Sequence, residues 1–277
     1  MAASAASARA RLAGLAQLAD GEVRPVEAAL LMAALERSDK SVESYLDYLA
    51  QLAAEVRAAA AGRHAEQLAL ALFEVFGRCH RFRGDDRDDE EVENANLMWV
   101  IDRRRGVSSA LGLLVLDVAR AAGLAVEGLA FPVHFLLRIE DEGGRRLILD
   151  PTGGGRVIDP PEMRALLKYT SGLAAELEPG HYTGLGNREM VVRLQNETKL
   201  RLLRCGQVER ALGVVEATLM LAPEAAALWR EAGMMHMRLD NPGAAVIALE
   251  QFIARTTNAQ ARARTQTLLA ELKGRLN

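Results

Sequence analysis

Residues 108–122 constrain the fold more than any other part of the chain. Leu111, Leu113, Leu114, Val115, Leu116, Val118 and Ala119 leave little polar surface along this stretch, so a helix here is apolar around most of its circumference. Such a helix belongs at the centre of a domain, and the rest of the chain has to wrap it. The 277 residues are half apolar and 26% charged, which suits one large domain or two smaller ones and excludes disorder. Aromatic residues make up only 4%, so the core is built from Ala, Leu and Val, as in closely packed helices. No run of about 18 apolar residues exists to span a membrane.

Helical periodicity fills the region before the central helix. Val26, Ala29, Leu30 and Ala33 repeat at one spacing, and Tyr45, Leu49, Leu52 and Val56 continue it in a second segment. Pro25 suits a first turn, Ser41 an N-cap, and residues 68–76 a third helix stopped by Gly77. A switch from Arg78, His80, Arg81 and Arg83 to Asp85, Asp86, Asp88, Asp89, Glu90, Glu91 and Glu93 then reads as a solvated loop, without the spacing of a calcium site. After Gly123, which stops the central helix, short β-type runs at residues 126–131, 135–139 and 147–149 give an antiparallel hairpin signal. A charged turn holding Gly143-Gly144 joins the last two, and Asp150-Pro151-Thr152-Gly153-Gly154 closes the third.

The C-terminal third is helical and repeats itself. Residues 211–216 align with residues 245–250 at an offset of 34, the tetratricopeptide period. Trp229, Gly233 and Ala245 fall at consensus positions, as do Gly206, Ala211 and Pro223 of the preceding unit, whereas Ala232, His236 and Thr257 depart from the consensus. Two repeats are fewer than such an array needs, so they are expected to dock on the preceding domain with residues 260–272 as the capping helix. Trp229, Tyr182, Met234, Met235 and Met237 are then expected in the core, with a peptide groove as the alternative.

Lys plus Arg number 34 and Asp plus Glu 37, a formal charge of -3, so there is no global basic field to draw nucleic acid or an anionic membrane. Five His and two Cys supply neither a metal ribbon nor a disulfide framework. Cys79 and Cys205 stand in no metal-ligand spacing, which points to a reducing, cytoplasmic setting. Residues 1–18 lack the apolar run of a secretory signal and share the Ala and Arg bias of the whole chain, so residues 1–24 are expected to be a flexible N-terminus.

Chemistry concentrates in the middle. Ser108 and Ser109 open the central helix, where unpaired N–H groups stabilise developing negative charge. His134 and Asp150 lie at adjacent strands, so a nucleophile-His-Asp constellation is geometrically available. The structural reading, favoured for Ser108, makes it an N-cap, His134 a half-buried structural partner of Asp150, and Asp150 a turn cap. Arg103, Arg104 and Arg105 read as a solvated helical face or as partners of the acidic loop, ahead of an anion site near the helix start. Cys79, next to His80, ranks last as a nucleophile.

The ordered set Asn94-x-x-Leu97, Arg103-Arg-Arg-Gly106-Val-Ser-Ser, Gly123-Leu, Glu127-Gly128, Phe131-Pro132-x-His134-Phe135-Leu136-x-Arg138 and Asp150-Pro151-x-Gly153-Gly154 resembles the SirB-type transglutaminase-like proteins over roughly residues 25–275. The resemblance implies an α+β fold: a helical N-terminal region, a papain-related transglutaminase-like core with a small antiparallel sheet over residues 25–186, and tetratricopeptide helices over residues 187–277. It places Ser108 where active members of the wider superfamily carry a Cys, with His134 and Asp150 at the other two positions and Ser109, Asn94 and Arg105 as secondary candidates. A Ser hydroxyl is a far weaker nucleophile than a thiolate. The expected function is therefore a non-catalytic or degenerate scaffold that binds a protein or peptide, without metal, cofactor, nucleic acid or membrane. The alternative is an amide hydrolase or acyl transferase using Ser108, His134 and Asp150.

Overall fold

The computed structural model describes residues 5–60, 64–85, 91–132 and 134–276. The central apolar segment is helix α6 in a chain of twelve helices among the described residues. Before it come α1 (Ala5–Leu15), α2 (Pro25–Glu36), α3 (Val42–Ala59), α4 (Ala65–Phe73) and α5 (Leu97–Arg103), and α6 itself is Ser108–Ala121. A two-residue parallel pair, β1 (Arg83–Gly84) with β2 (Arg105–Gly106), sits just ahead of α6. Antiparallel strands β3 (Ala125–Gly128), β4 (Leu137–Glu140), β5 (Arg146–Asp150) and β6 (Arg156–Ile158) form one meander in chain order. The hairpin signal thus becomes a four-stranded sheet. Helix α7 (Pro160–Ser171) follows it, and α8 (Asn187–Arg204), α9 (Val208–Leu221), α10 (Ala226–Arg238), α11 (Pro242–Arg255) and α12 (Ala259–Leu276) complete the chain.

Every residue of α6 from Ser108 to Ala119 is buried, as its apolar circumference requires. It packs against α3, β3, α2 and α8. Gly123 ends it at a φ of 89°, a conformation glycine adopts without strain. Gly112, in the middle of α6, makes room for Phe135: a Cβ there would lie 2.2 Å from the Phe135 ring. A Cβ on Gly128 of β3 would lie 2.8 Å from the same ring, so the two glycines form a slot holding Phe135 fully buried.

Two local expectations differ. Gly77 does not stop the third helix; α4 runs into a π-helical turn, Glu74–Cys79, that contains it. Gly77 is there for closeness, since a Cβ on Gly154 would lie 2.5 Å from the Gly77 Cα. Ser41 holds the N-cap position of α3, but its hydroxyl donates to Glu43 and caps no backbone group.

Residues 5–24 are not a flexible leader. Ala8 and Leu12 of α1 are fully buried in the main core, where their small, apolar faces meet α2 and α9. Asp20 accepts from the N–H groups of Asn187 at 2.8 Å and Arg188 at 3.0 Å, capping α8 from the far end of the sequence. Arg188 returns the contact by donating to the carbonyls of Leu15, Ala16 and Leu18.

Helices α8 and α9 dock on the preceding region, while α10, α11 and α12 follow in series behind α9. Met190, Val191 and Leu194 of α8 and Ala217 and Leu221 of α9 belong to the same core as α6. Helices α10 and α11 approach closely where Gly233 meets Leu249, since a Cβ on Gly233 would lie 2.6 Å from that side chain. Trp229 is part-buried and donates to the Pro223 carbonyl at 2.7 Å, while Met234 stays 46% exposed.

Candidate functional site

Ser108 is the first residue of α6 and Val107 takes the N-cap position, so the expected N-cap role for Ser108 is not what its side chain performs. Its Oγ accepts from the N–H of Phe135 at 3.0 Å, bridging the start of α6 to the residue after His134. Phe135 is locked in its glycine slot, which fixes this hydrogen bond.

His134 Nε2 lies 3.0 Å from Asp150 Oδ1, the pairing the sequence places on adjacent strands. Asp150 ends β5 and also accepts from the Thr152 N–H at 2.9 Å and the Thr152 hydroxyl at 2.6 Å. Burial raises the Asp150 pKa, but the hydrogen bond and charge of His134 together with both Thr152 donors outweigh it, leaving the carboxyl below its usual range. The bond to Asp150 fixes the orientation of the imidazole. Among the described residues no hydrogen bond joins Ser108 to His134.

Both residues open onto a cleft of about 550 Å³ shared with Gly84, Thr152, Arg193 and Glu197. Arg193 and Glu197 come from α8, where Arg193, Glu197 and Arg201 recur at every fourth residue and so share one helix face. Arg193 donates to the carbonyls of Phe131 and His134, the latter at 2.9 Å, and so holds the backbone that carries the imidazole. Burial pushes the Glu197 carboxyl up, against the opposing influence of Ser109, Arg201, Arg193 and His134. Sequence reasoning missed these three residues. Their spacing was visible, but the helix that carries them was read only as part of a repeat.

The secondary candidates divide. Ser109 is fully buried, with its hydroxyl next to Glu197, where it opposes the rise of that carboxyl's pKa. Asn94 is buried as well, and its side-chain amide finds no partner among the described residues; it links the loop through its carbonyl, which accepts from Val107 at 2.9 Å. Arg105 does not line the cleft. Arg103 pairs with Glu91 of the acidic loop, of which residues 86–90 lie outside the described residues. Cys79 is exposed, and its neighbour His80 is held by Tyr48 at 2.9 Å and Glu55 at 2.7 Å, so it has no part in the cleft. Among the described residues no group of His, Cys, Asp and Glu is arranged to hold a metal ion, and no helix is long and apolar enough to cross a membrane.

Two family profiles match the chain: the transglutaminase-like superfamily over residues 43–196 and the tetratricopeptide repeat over residues 199–270. The start of α6, His134, Asp150 and Arg193 fall within the first, whereas Glu197 and Arg201 of the α8 face lie beyond its end. A UPF0162 protein of Xylella fastidiosa is 26% identical over 78% of this chain and 75% of its own length. A UPF0162 protein of Vibrio cholerae is 28% identical over 68% of this chain and 71% of its own length. Protein SirB1 of Salmonella typhimurium is 28% identical over 57% of this chain and 60% of its own length.

Proposed function

The chain belongs to the transglutaminase-like superfamily, and from that premise we propose that it is a degenerate member acting as a scaffold for a protein or peptide partner in the cytoplasm. One observation carries this reading: the Ser108 oxygen at the nucleophile position is occupied by the Phe135 N–H and forms no hydrogen bond with His134. A serine attacks only if a base in reach takes its proton during the step. Here the hydroxyl works as a structural acceptor.

The repeats supply the surface for a partner. A groove of about 960 Å³ runs between α8, α10, α11 and α12, with Leu200, Leu203, Met234 and Phe252 along it and Arg230, Arg238 and Glu231 among its lining. Leu200 and Met234 are 42% and 46% exposed, which suits an apolar peptide with acidic flanks.

The His134–Asp150 pair and its open cleft favour a second reading, amide hydrolysis or acyl transfer by Ser108. One comparison separates the two. Wild type and Ser108→Ala should capture the same cellular partner, Leu200→Glu/Met234→Glu should lose it, and a fluorophosphonate should label none of the three. Labelling of wild type that Ser108→Ala abolishes would establish the catalytic reading instead.

A further inference from the structure

Beside the cleft, Arg81, Arg83, Arg103, Arg104 and Arg105 line a hollow of about 540 Å³ to which no other described residue contributes. The strand pair β1–β2 builds it by setting Arg83 directly opposite Arg105. Like charges so placed destabilise a ladder unless something balances them. Arg81 and Arg104 both take left-handed backbone, with φ of 58° and 59°, a conformation that disfavours any side chain larger than glycine. Arg104 is fixed there by a 2.6 Å bond to the Ile101 carbonyl and by stacking 4.5 Å from the Tyr48 ring centroid and 4.8 Å from that of Phe82. Arg103 is paired with Glu91. Arg81, Arg83 and Arg105 have no ion pair among the described residues, in a chain whose net charge is -3.

We propose that this hollow binds a small ligand with several clustered phosphate groups, an oligophosphate either free or carried by a nucleotide. Guanidinium forks match phosphate oxygens two at a time, and several converging on one concave surface suit an anion whose charges are close together. The lining argues against larger occupants. A peptide needs apolar pockets for its side chains, and single-stranded nucleic acid needs open aromatic faces, whereas the two rings here are covered by Arg104. Gly84 and Gly106, which follow Arg83 and Arg105 in the same strands, line the Ser108–His134 cleft, so a bound oligophosphate sits next to it. The site does not depend on whether the cleft is catalytic.

The test is calorimetric titration of the full chain with sodium tripolyphosphate at low ionic strength. Arg83→Ala/Arg105→Ala should weaken binding by about tenfold or more, and Arg83→Lys/Arg105→Lys, which keeps the charge without the fork, should weaken it less. Arg230→Ala/Arg238→Ala, on the repeats, should leave it unchanged. If the alanine pair fails to fold by circular dichroism, the lysine pair decides. ATP binding more tightly than tripolyphosphate with the same variant dependence identifies a nucleotide; equal binding identifies free oligophosphate. The proposal falls if the arginine variants bind as wild type does, if orthophosphate binds as well as tripolyphosphate, or if hexaglutamate or a short oligonucleotide binds more tightly with the same dependence on Arg83 and Arg105.

Discussion

Glu197 faces Ser109, Arg193, Arg201 and His134, yet burial still lifts its pKa above the ordinary range. An acid whose folded pKa is raised stabilises the fold below its unfolded pKa, and that contribution disappears as the pH rises through the folded value, because the unfolded chain gives up the proton first. Glu197→Gln removes this penalty while keeping the shape. Urea unfolding should therefore find the variant as stable as wild type at around pH 4 and more stable at around pH 8; a wild type that gains on the variant as pH rises would refute the account. The residues on the α6 and sheet side of this site were legible in sequence, because an ordered motif fixes Ser108, His134 and Asp150. Which hydrogen bond Ser108 makes was not, because a hydroxyl at a helix start can cap or accept from a distant segment, and only the packing of Phe135 brings its N–H to that oxygen.

The element that positions the site is the α6–β3 slot around Phe135. Small residues at Gly112 and Gly128 let helix and strand close on one ring, and Phe135 then presents its N–H to Ser108 while His134, the preceding residue, meets Asp150. Gly112→Ala drives a methyl into that ring. Overpacking of this kind costs about 1–3 kcal/mol, measurable by chemical denaturation, and the variant should also broaden the His134 imidazole signals in NMR spectra. Helix α6, the hairpin and the 34-residue repeat were all readable from periodicity, since each is a local pattern. The π-helical turn at Gly77 was not, because glycine stops a helix by default and only the approach of Gly154 shows why this one continues.

Across the whole molecule, the N-terminal segment holds α8 and α9 against the central core. Helix α1 buries Ala8 and Leu12, and Asp20 caps α8, the helix that delivers Arg193 and Glu197 to the cleft. Deleting residues 1–24 should lower stability by at least about 3 kcal/mol, from the lost burial of a leucine-sized side chain together with a helix cap. Thermal melting checks it, and an unchanged midpoint would restore the flexible leader the Ala-rich sequence suggested. The sequence by itself determined the element types, the buried central helix, the repeat and the family motifs, because periodicity and motif order are properties of neighbouring residues. Only the tertiary structure decided that α8 closes the cleft, that Ser108 serves Phe135, and that five arginines converge, because each depends on segments far apart in the chain being packed to within a few ångströms of one another.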